Sequence, residues 1–425
     1  MKDLVYIKLC EYRENIIKYF LYSIPIVFIL YLLNIHGYIF SNSLIFRLDI
    51  YFGIMTFVLG FIYIYDIIYN KKKMSIENIF MILFLLFSLI SVFFSVNKDV
   101  ALYGYRGRYE GFFTLLFYGL LYLNTEKVKD NKTIKTIIIS LMVTIFINLF
   151  FVILELTGVF KIIFTQYSSK NIIALTSNTD FLGSLVCTLS IISLGFFLSN
   201  KYKILSFFSF IAGYLILLLT GTTGPFISFI ITFIIMIIYL SIKKKINYKK
   251  MVISIIIIVS MYSLDFINGK NISNDLVSHT KYIFNSSDKM NTNRLGNGRI
   301  GLWIKTWDLI KEKPLIGYGP DNLGLVYKRD PNEKYNLDKA HNIYLHIWVS
   351  SGVFALISYL MFVLFTVIKG LKNKDTIICI LTFGIIAYSI QGFFNINVLE
   401  VTPYFYVIMG LILNRECLTS NNWII

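Results

Sequence analysis

Charge is what this 425-residue chain has least of: Asp, Glu, Lys and Arg together make up 15% of it, against 56% hydrophobic and 17% aromatic residues. A water-soluble core of this length could not bury so many Ile, Leu, Phe and Tyr, so lipid is the solvent for most of the chain. The mean hydropathy of +0.69 agrees. Cysteine is scarce as well. Of the four, Cys187 and Cys379 fall in apolar runs, and Cys10 and Cys417 fall in segments expected on the cytoplasmic side. That distribution excludes a disulfide framework and leaves the cysteines as small apolar fillers. Only six prolines occur, and with the wealth of Ile, Lys and Asn this is the composition of an AT-rich bacterial genome. No repeat, low-complexity tract or appended soluble domain is visible.

Acidic residues are the minority charge, 24 against 40 Lys and Arg, for a net +16. In a soluble domain that excess would raise nucleic acid as a partner; in a membrane chain it must first be sorted by side. Apolar runs of about 18 residues or more predict an all-α integral membrane protein of about twelve transmembrane helices. The expected spans are 17–34, 48–69, 77–96, 109–124, 134–157, 179–199, 204–220, 224–242, 251–267, 342–368, 376–394 and 397–414. A charged amphipathic stretch (Lys2, Lys8, Arg13, Lys18) precedes the first span without a small-residue cleavage site, which predicts a retained helix rather than a signal peptide. With the N-terminus inside, the short cytoplasmic segments hold 22 of the 40 basic residues, and twelve of the others lie in one long outer loop. Sidedness thus accounts for the charge without nucleic acid. It predicts a multi-pass protein of the bacterial plasma (inner) membrane with both termini cytoplasmic.

The expected organisation is an N-terminal transmembrane bundle of about nine helices (1–267), an extracytoplasmic catalytic loop carrying short amphipathic helices (268–341), and about three C-terminal transmembrane helices (342–425). The loop is the only long hydrophilic stretch, and a loop of that length is usually functional. Its 12 Lys and Arg against 8 Asp and Glu reverse the sidedness bias, which an anionic ligand would explain; a solvated cap with incidental charge is the competing account.

Within the loop, Asn297 to Ile310 places Ile300, Trp303/Ile304, Trp307 and Ile310 on one helical face, with Asn297 able to cap the start and Pro314 ending the pattern. Arg299 falls in the first turn, where a helix N-terminus and a guanidinium together can hold a phosphate, although an arginine there is otherwise a surface residue. Pro314-Leu315-Ile316-Gly317-Tyr318-Gly319-Pro320 follows as a turn cluster, with Gly317 and Gly319 serving either as scaffold or as ligand contacts. The loop ends at Lys339-Ala340-His341-Asn342. His341 at a membrane surface suits a general base for a sugar hydroxyl, and a structural cap is the alternative. His346, one turn deeper, is second choice, while His36 and His279 have no partner pattern. In the outer loop 97–110, Arg106 and Arg108 alternate with tyrosines, as suits an anionic sugar ligand or an interfacial aromatic belt.

Taken in order, Gly298-Arg299 with Trp303, Pro314 to Gly319, His341-Asn342-Ile343-Tyr344-Leu345 and Ser351-Gly352-Val353 resemble the O-antigen ligase and O-antigen polymerase-like superfamily. Weaker likenesses are Asn178-Thr179-Asp180-Phe181-Leu182-Gly183 and Thr220-Gly221-Thr222-Thr223-Gly224. The resemblance implies a metal-independent, inverting membrane glycosyltransferase without cofactors. It would act at the outer face, moving a glycan from an undecaprenyl-diphosphate donor to a glycan or other acceptor hydroxyl. By the same resemblance His341 is the base, Arg299 holds the diphosphate, and Gly317, Gly319 and Asn342 are candidate substrate contacts. One departure matters: ligases of this family usually carry a second arginine where this chain has Thr220 to Gly224. Arg106, Arg108 and Arg294 are the candidates to replace it. The rival enzyme class, metal-dependent lipid-carrier glycosyltransferases, places acidic ligands in the first outer loop, yet residues 35–47 contain no Asp or Glu. A transporter or flippase for lipid-linked glycan would need charges deep in the spans, and only Glu155 and Glu400 are expected there.

Overall fold

A computed structural model of the protein describes residues 2–35, 48–70, 74–105, 108–159, 172–267, 299–327 and 338–414. Among these residues every regular element is a helix. The cause is the solvent: hydrocarbon offers no hydrogen bonds, so a spanning segment must satisfy its backbone within itself. In chain order the helices are α1 (Lys2–Ile35), α2 (Leu48–Asn70), α3 (Ile76–Phe93), α4 (Lys98–Tyr103), α5 (Phe112–Thr125), α6 (Asn131–Leu156), α7 (Thr179–Leu198), α8 (Lys203–Thr220), α9 (Thr223–Ile242), α10 (Tyr248–Ile267), α11 (Arg299–Glu312), α12 (Leu323–Val326), α13 (Ile343–Lys372), α14 (Thr376–Gln391) and α15 (Thr402–Leu413). Their starts follow the local sequence. Side-chain oxygens of Ser75, Asp130, Asn178, Asn342 and Asp375 accept hydrogen bonds from first-turn amides of α3, α6, α7, α13 and α14.

Among the described residues eight helices (α2, α3, α6 to α10 and α13) are long and apolar enough to cross a bilayer; α5, α14 and α15 are apolar but shorter. The expected span 397–414 starts too early. Val398 N donates to Thr402 Oγ1 and Asn397 Oδ1 accepts from Tyr388, so a polar turn occupies 395–401 and Glu400 lies outside the helix. Glu155 likewise sits in the last turn of α6, where its carboxylate accepts from Ile173 N and Ala174 N. The amphipathic face of α11 also differs from expectation. Gly301, Thr306 and Ile310 are buried, and Ile304 and Trp307 face outward. The reason is that Ile310 packs with Tyr318, Leu323, Ala340 and Val349, so the small side of the helix meets α13.

The apolar window of α7 is wholly buried, enclosed by α8, α9 and α14. Helices from the end of the chain interleave with those from the beginning: α13 runs along α3, α14 along α7 and α15 along α5. At the end of the bundle that the sequence assigns to the cytoplasm, Asp66 on α2 receives Arg13 at 3.0 Å and also Lys127, and Arg13 reaches the Lys127 carbonyl. That buried knot ties α1 to α2 and to the α5–α6 turn.

One irregularity shapes the opposite end. Gly352 breaks α13 at φ +83°, a conformation costly to any residue with a Cβ, and a Cβ there would overlap the Leu315 carbonyl. The carbonyls released by the break do not go unpaired. Tyr318 N donates to Val349 O at 2.9 Å, Gly319 N to Ser350 O at 2.8 Å, and Ser91 Oγ to Ser350 O at 2.7 Å. The Pro314–Gly319 turn is thus inserted into the gap in the helix, and Val353 N closes it on Pro314 O.

Candidate active site

The turn and the broken helix fix a polar cluster at the end of the bundle where α7, α11 and α13 begin. His341 precedes the N-cap of α13, and bonds of the residues that follow it fix where its backbone enters the helix. Asn342 Oδ1 accepts from Tyr344 N and Leu345 N at 3.0 Å each, and Ile343 N donates to Gly392 O at 2.8 Å. His341 itself adopts φ +47° and Asp321 φ +58°. Left-handed non-glycine residues cost of order 1–3 kcal/mol each and persist where surrounding structure over-determines them.

Arg299 opens α11, and its Nη2 lies 2.9 Å from Asp180 Oδ2 in the first turn of α7, both side chains partly buried. Arg108 grips Asp338 Oδ2 through Nε at 2.9 Å and Nη2 at 2.6 Å. All four charged groups lie within electrostatic reach of the His341 imidazole. Burial first, and then Arg299, hold that imidazole below its ordinary value, with Arg108 adding to them and Asp180 and Asp338 opposing. The result is a neutral ring at neutral pH, the form that can take a proton. Burial would raise Asp338, but Arg108 holds it below the usual carboxylate range.

Behind this rim lies a buried layer. Lys339 Nζ is 2.6 Å from Asp321 Oδ1, with both side chains 1% exposed. Asp321 Oδ2 accepts from Tyr105 N at 2.6 Å and Glu110 N at 3.3 Å, which ties the Arg108 loop to the turn after α11. Burial opposes ionisation of Asp321, yet Lys339 holds it low. Lys339 also approaches His346 Nε2 at 3.4 Å, so that histidine abuts the layer. Glu110 receives the Tyr118 hydroxyl at 2.6 Å, and burial, only partly offset by Lys339, pushes its carboxyl up to about 7. Glu400, raised by burial, accepts from Ser177 Oγ at 2.7 Å and feels Arg108.

Beside the cluster, a cavity of about 830 Å³ runs between α2 and α5. It is lined almost entirely by apolar groups, among them Phe52, Phe57, Phe61 and Phe113, and it includes Tyr109 and Leu399. Those two residues adjoin Arg108, Glu110 and Glu400 in sequence, so the greasy trough leads to the charged rim.

Of the residues expected from sequence, His341, Arg299 and Arg108 are brought together. Asn342 serves as the cap of α13, and Gly317 and Gly319 are buried in the turn, where a Cβ on Gly317 would come within 2.6 Å of the Ser350 backbone. Arg106, Arg294, Asn297, His36 and His279 lie outside the described residues, as does most of the first outer loop. Sequence reasoning missed Asp180, Asp321, Asp338, Lys339, Glu110 and Glu400. Asp338 and Lys339 adjoin His341 in the chain, which was a usable signal; the pairing of Asp180 across 119 positions had none. The Thr220–Gly224 turn is nearby: Thr220 and Thr222 bond to each other at 2.9 Å, and Thr222 packs against Gly183, three residues beyond Asp180.

Fold and site together define a multi-pass, all-helical membrane protein with a neutral histidine among arginine–carboxylate pairs. Residues 207–360, little over a third of the chain, match the family model described as O-antigen ligase. The matched stretch contains Arg299, Gly317, Gly319, His341 and Gly352 but neither Arg108 nor Asp180. An uncharacterized protein of Haemophilus influenzae is 27% identical over 219 residues, 46% of this chain and 52% of the relative. The match therefore spans about half the length of that protein.

Proposed function

We propose that the protein transfers or polymerises a glycan carried on undecaprenyl diphosphate, moving it to an acceptor hydroxyl at the outer face of the bacterial plasma membrane. What supports this reading is that the Arg299 guanidinium, at the other end of the 299–341 stretch, lies within electrostatic reach of the His341 imidazole. His341, kept neutral, takes the proton of the acceptor hydroxyl as its oxygen attacks the anomeric carbon. The bond from that carbon to the diphosphate oxygen breaks, and its electron pair leaves on the lipid diphosphate. Attack opposite the leaving group inverts the centre. Arg299, with Arg108 in place of the missing family arginine, offsets the charge that grows on the departing phosphate. The apolar lining of the trough between α2 and α5 suits the prenyl chain. Metal plays no part in this scheme, the chain crosses the membrane about twelve times with both termini cytoplasmic, and residues 268–341 form the outer catalytic segment; the Lys/Arg distribution supports that sidedness.

The test supplies purified lipid-linked oligosaccharide and acceptor to the reconstituted protein with chelator present. Longer glycan or labelled acceptor is expected from the wild type, and none from His341→Ala although it still binds donor. A protein that moves lipid-linked glycan across the bilayer and tolerates His341→Ala is a transporter, and the reading fails.

A further inference from the structure

Each arginine of the rim already has a carboxylate partner, and the two partners are not held alike. The Asp180 backbone is fixed from both sides: its N–H donates to Asn178 Oδ1 at 2.8 Å, and its carbonyl accepts from Asn395 Nδ2 at 2.8 Å. Arg299 reaches it with a long, adaptable side chain from the first residue of α11. If a diphosphate draws the guanidinium away, the carboxylate cannot follow.

We propose that Asp180 is a positioning residue: it holds Arg299 ready in the empty site, yields it to the donor diphosphate, and is then left as the unpaired carboxylate facing His341. The inference rests on the function proposed above and adds a sequence of events to it. In the empty site burial and, after it, the Arg299 charge keep the imidazole unprotonated, so no proton is trapped on the base before substrate arrives. Once phosphate oxygens neutralise Arg299, the charge that opposed protonation is cancelled while Asp180 remains. The imidazole becomes more basic when the acceptor hydroxyl must give up its proton. The proton stays on His341 and the imidazolium is stabilised by Asp180, which is not itself protonated. The charged or titratable groups within electrostatic reach of His341 among the described residues are Asp180 on α7, Arg299 on α11, Arg108 before α5, Asp338 three residues before His341, and His346 on α13. Asp338 is the less suitable partner for this exchange, because it takes both Nε and Nη2 of Arg108 on a single oxygen.

The experiment uses the full-length protein in lipid nanodiscs, with inorganic pyrophosphate as the binding probe and lipid-linked oligosaccharide for turnover. Asp180→Asn removes the competitor for Arg299, so pyrophosphate binds about 5-fold more tightly, the scale of a part-exposed ion pair. In the same variant kcat falls about 10-fold and the acid limb of its pH profile moves to lower pH, because the base has lost its carboxylate. Asp180→Glu keeps the charge and the limb, which separates the role from misfolding. Weaker pyrophosphate binding in Asp180→Asn, or an unmoved limb, means that Asp180 is only a structural partner and overturns the proposal. Arg299→Ala distinguishes the two levels: if it binds pyrophosphate as well as the wild type does, the diphosphate site itself is wrongly assigned.

Discussion

Replacing Lys339 by Met strips the ammonium from Asp321 at a place where neither side chain has more than 1% of its surface exposed. Removing one partner of a buried ion pair costs about 3–5 kcal/mol, because a charge is left without compensation. Asp321 keeps two backbone donors, Tyr105 N at 2.6 Å and Glu110 N at 3.3 Å, so the cost belongs at the low end, about 3 kcal/mol. Asp321→Asn alone strands Lys339 beside His346, whose Nδ1 has no partner, and should cost a similar amount. The double variant leaves neither an unpaired ammonium nor an unpaired carboxylate at the 321/339 position. It should therefore lose about 2 kcal/mol less than the sum of the single changes. Unfolding in mixed micelles, followed by tryptophan fluorescence across the four proteins, measures the cycle. Additive single effects, or Lys339→Met within about 0.5 kcal/mol of wild type, would refute the view that this pair clamps the Arg108 loop to the segment bearing His341.

Arg299→Ala should lower kcat about 10²- to 10³-fold, the scale for losing one donor to a developing oxyanion, and leave acceptor KM nearly unchanged; steady-state kinetics with varied acceptor decide this. Arg108→Gln should cost about 10-fold in kcat/KM for donor, a charge-assisted bond exchanged for a neutral one, and an effect on acceptor alone would contradict its role. His341 sits below its ordinary 6.5, and a base works unprotonated. Transfer by the free enzyme, read as kcat/KM for donor, should thus fall on acidification with its midpoint below pH 6.5, whereas a decline centred above 6.5 would show a different base. Gly352→Ala forces a side chain into the left-handed break and against Leu315, which should lower the melting temperature and reduce activity together; a stable, active variant would show that the break is not required.

The helices were legible because an apolar run bounded by Asn, Asp or Ser caps has one outcome in lipid, as α7 behind Asn178 and α14 behind Asp375 show. Legibility failed where a side chain's fate depends on a distant partner. Glu400 looked embedded because its neighbours are apolar, but the Thr402 bond to Val398 starts the helix after it. The break at Gly352 was hidden because it is stable only with the Pro314–Gly319 turn filling it, some thirty positions upstream. In the site, Arg299 and His341 stood out by motif, whereas Asp180 and Asp321 owe their significance to contacts that spacing cannot report.

The most direct measurement is a structure of the protein in nanodiscs with an undecaprenyl diphosphate lacking a transferable sugar. The account places the diphosphate between Arg299 and His341, with Arg299 drawn off Asp180 and the prenyl chain lying in the trough between α2 and α5. A diphosphate bound elsewhere, with the Arg299–Asp180 pair intact, would contradict it.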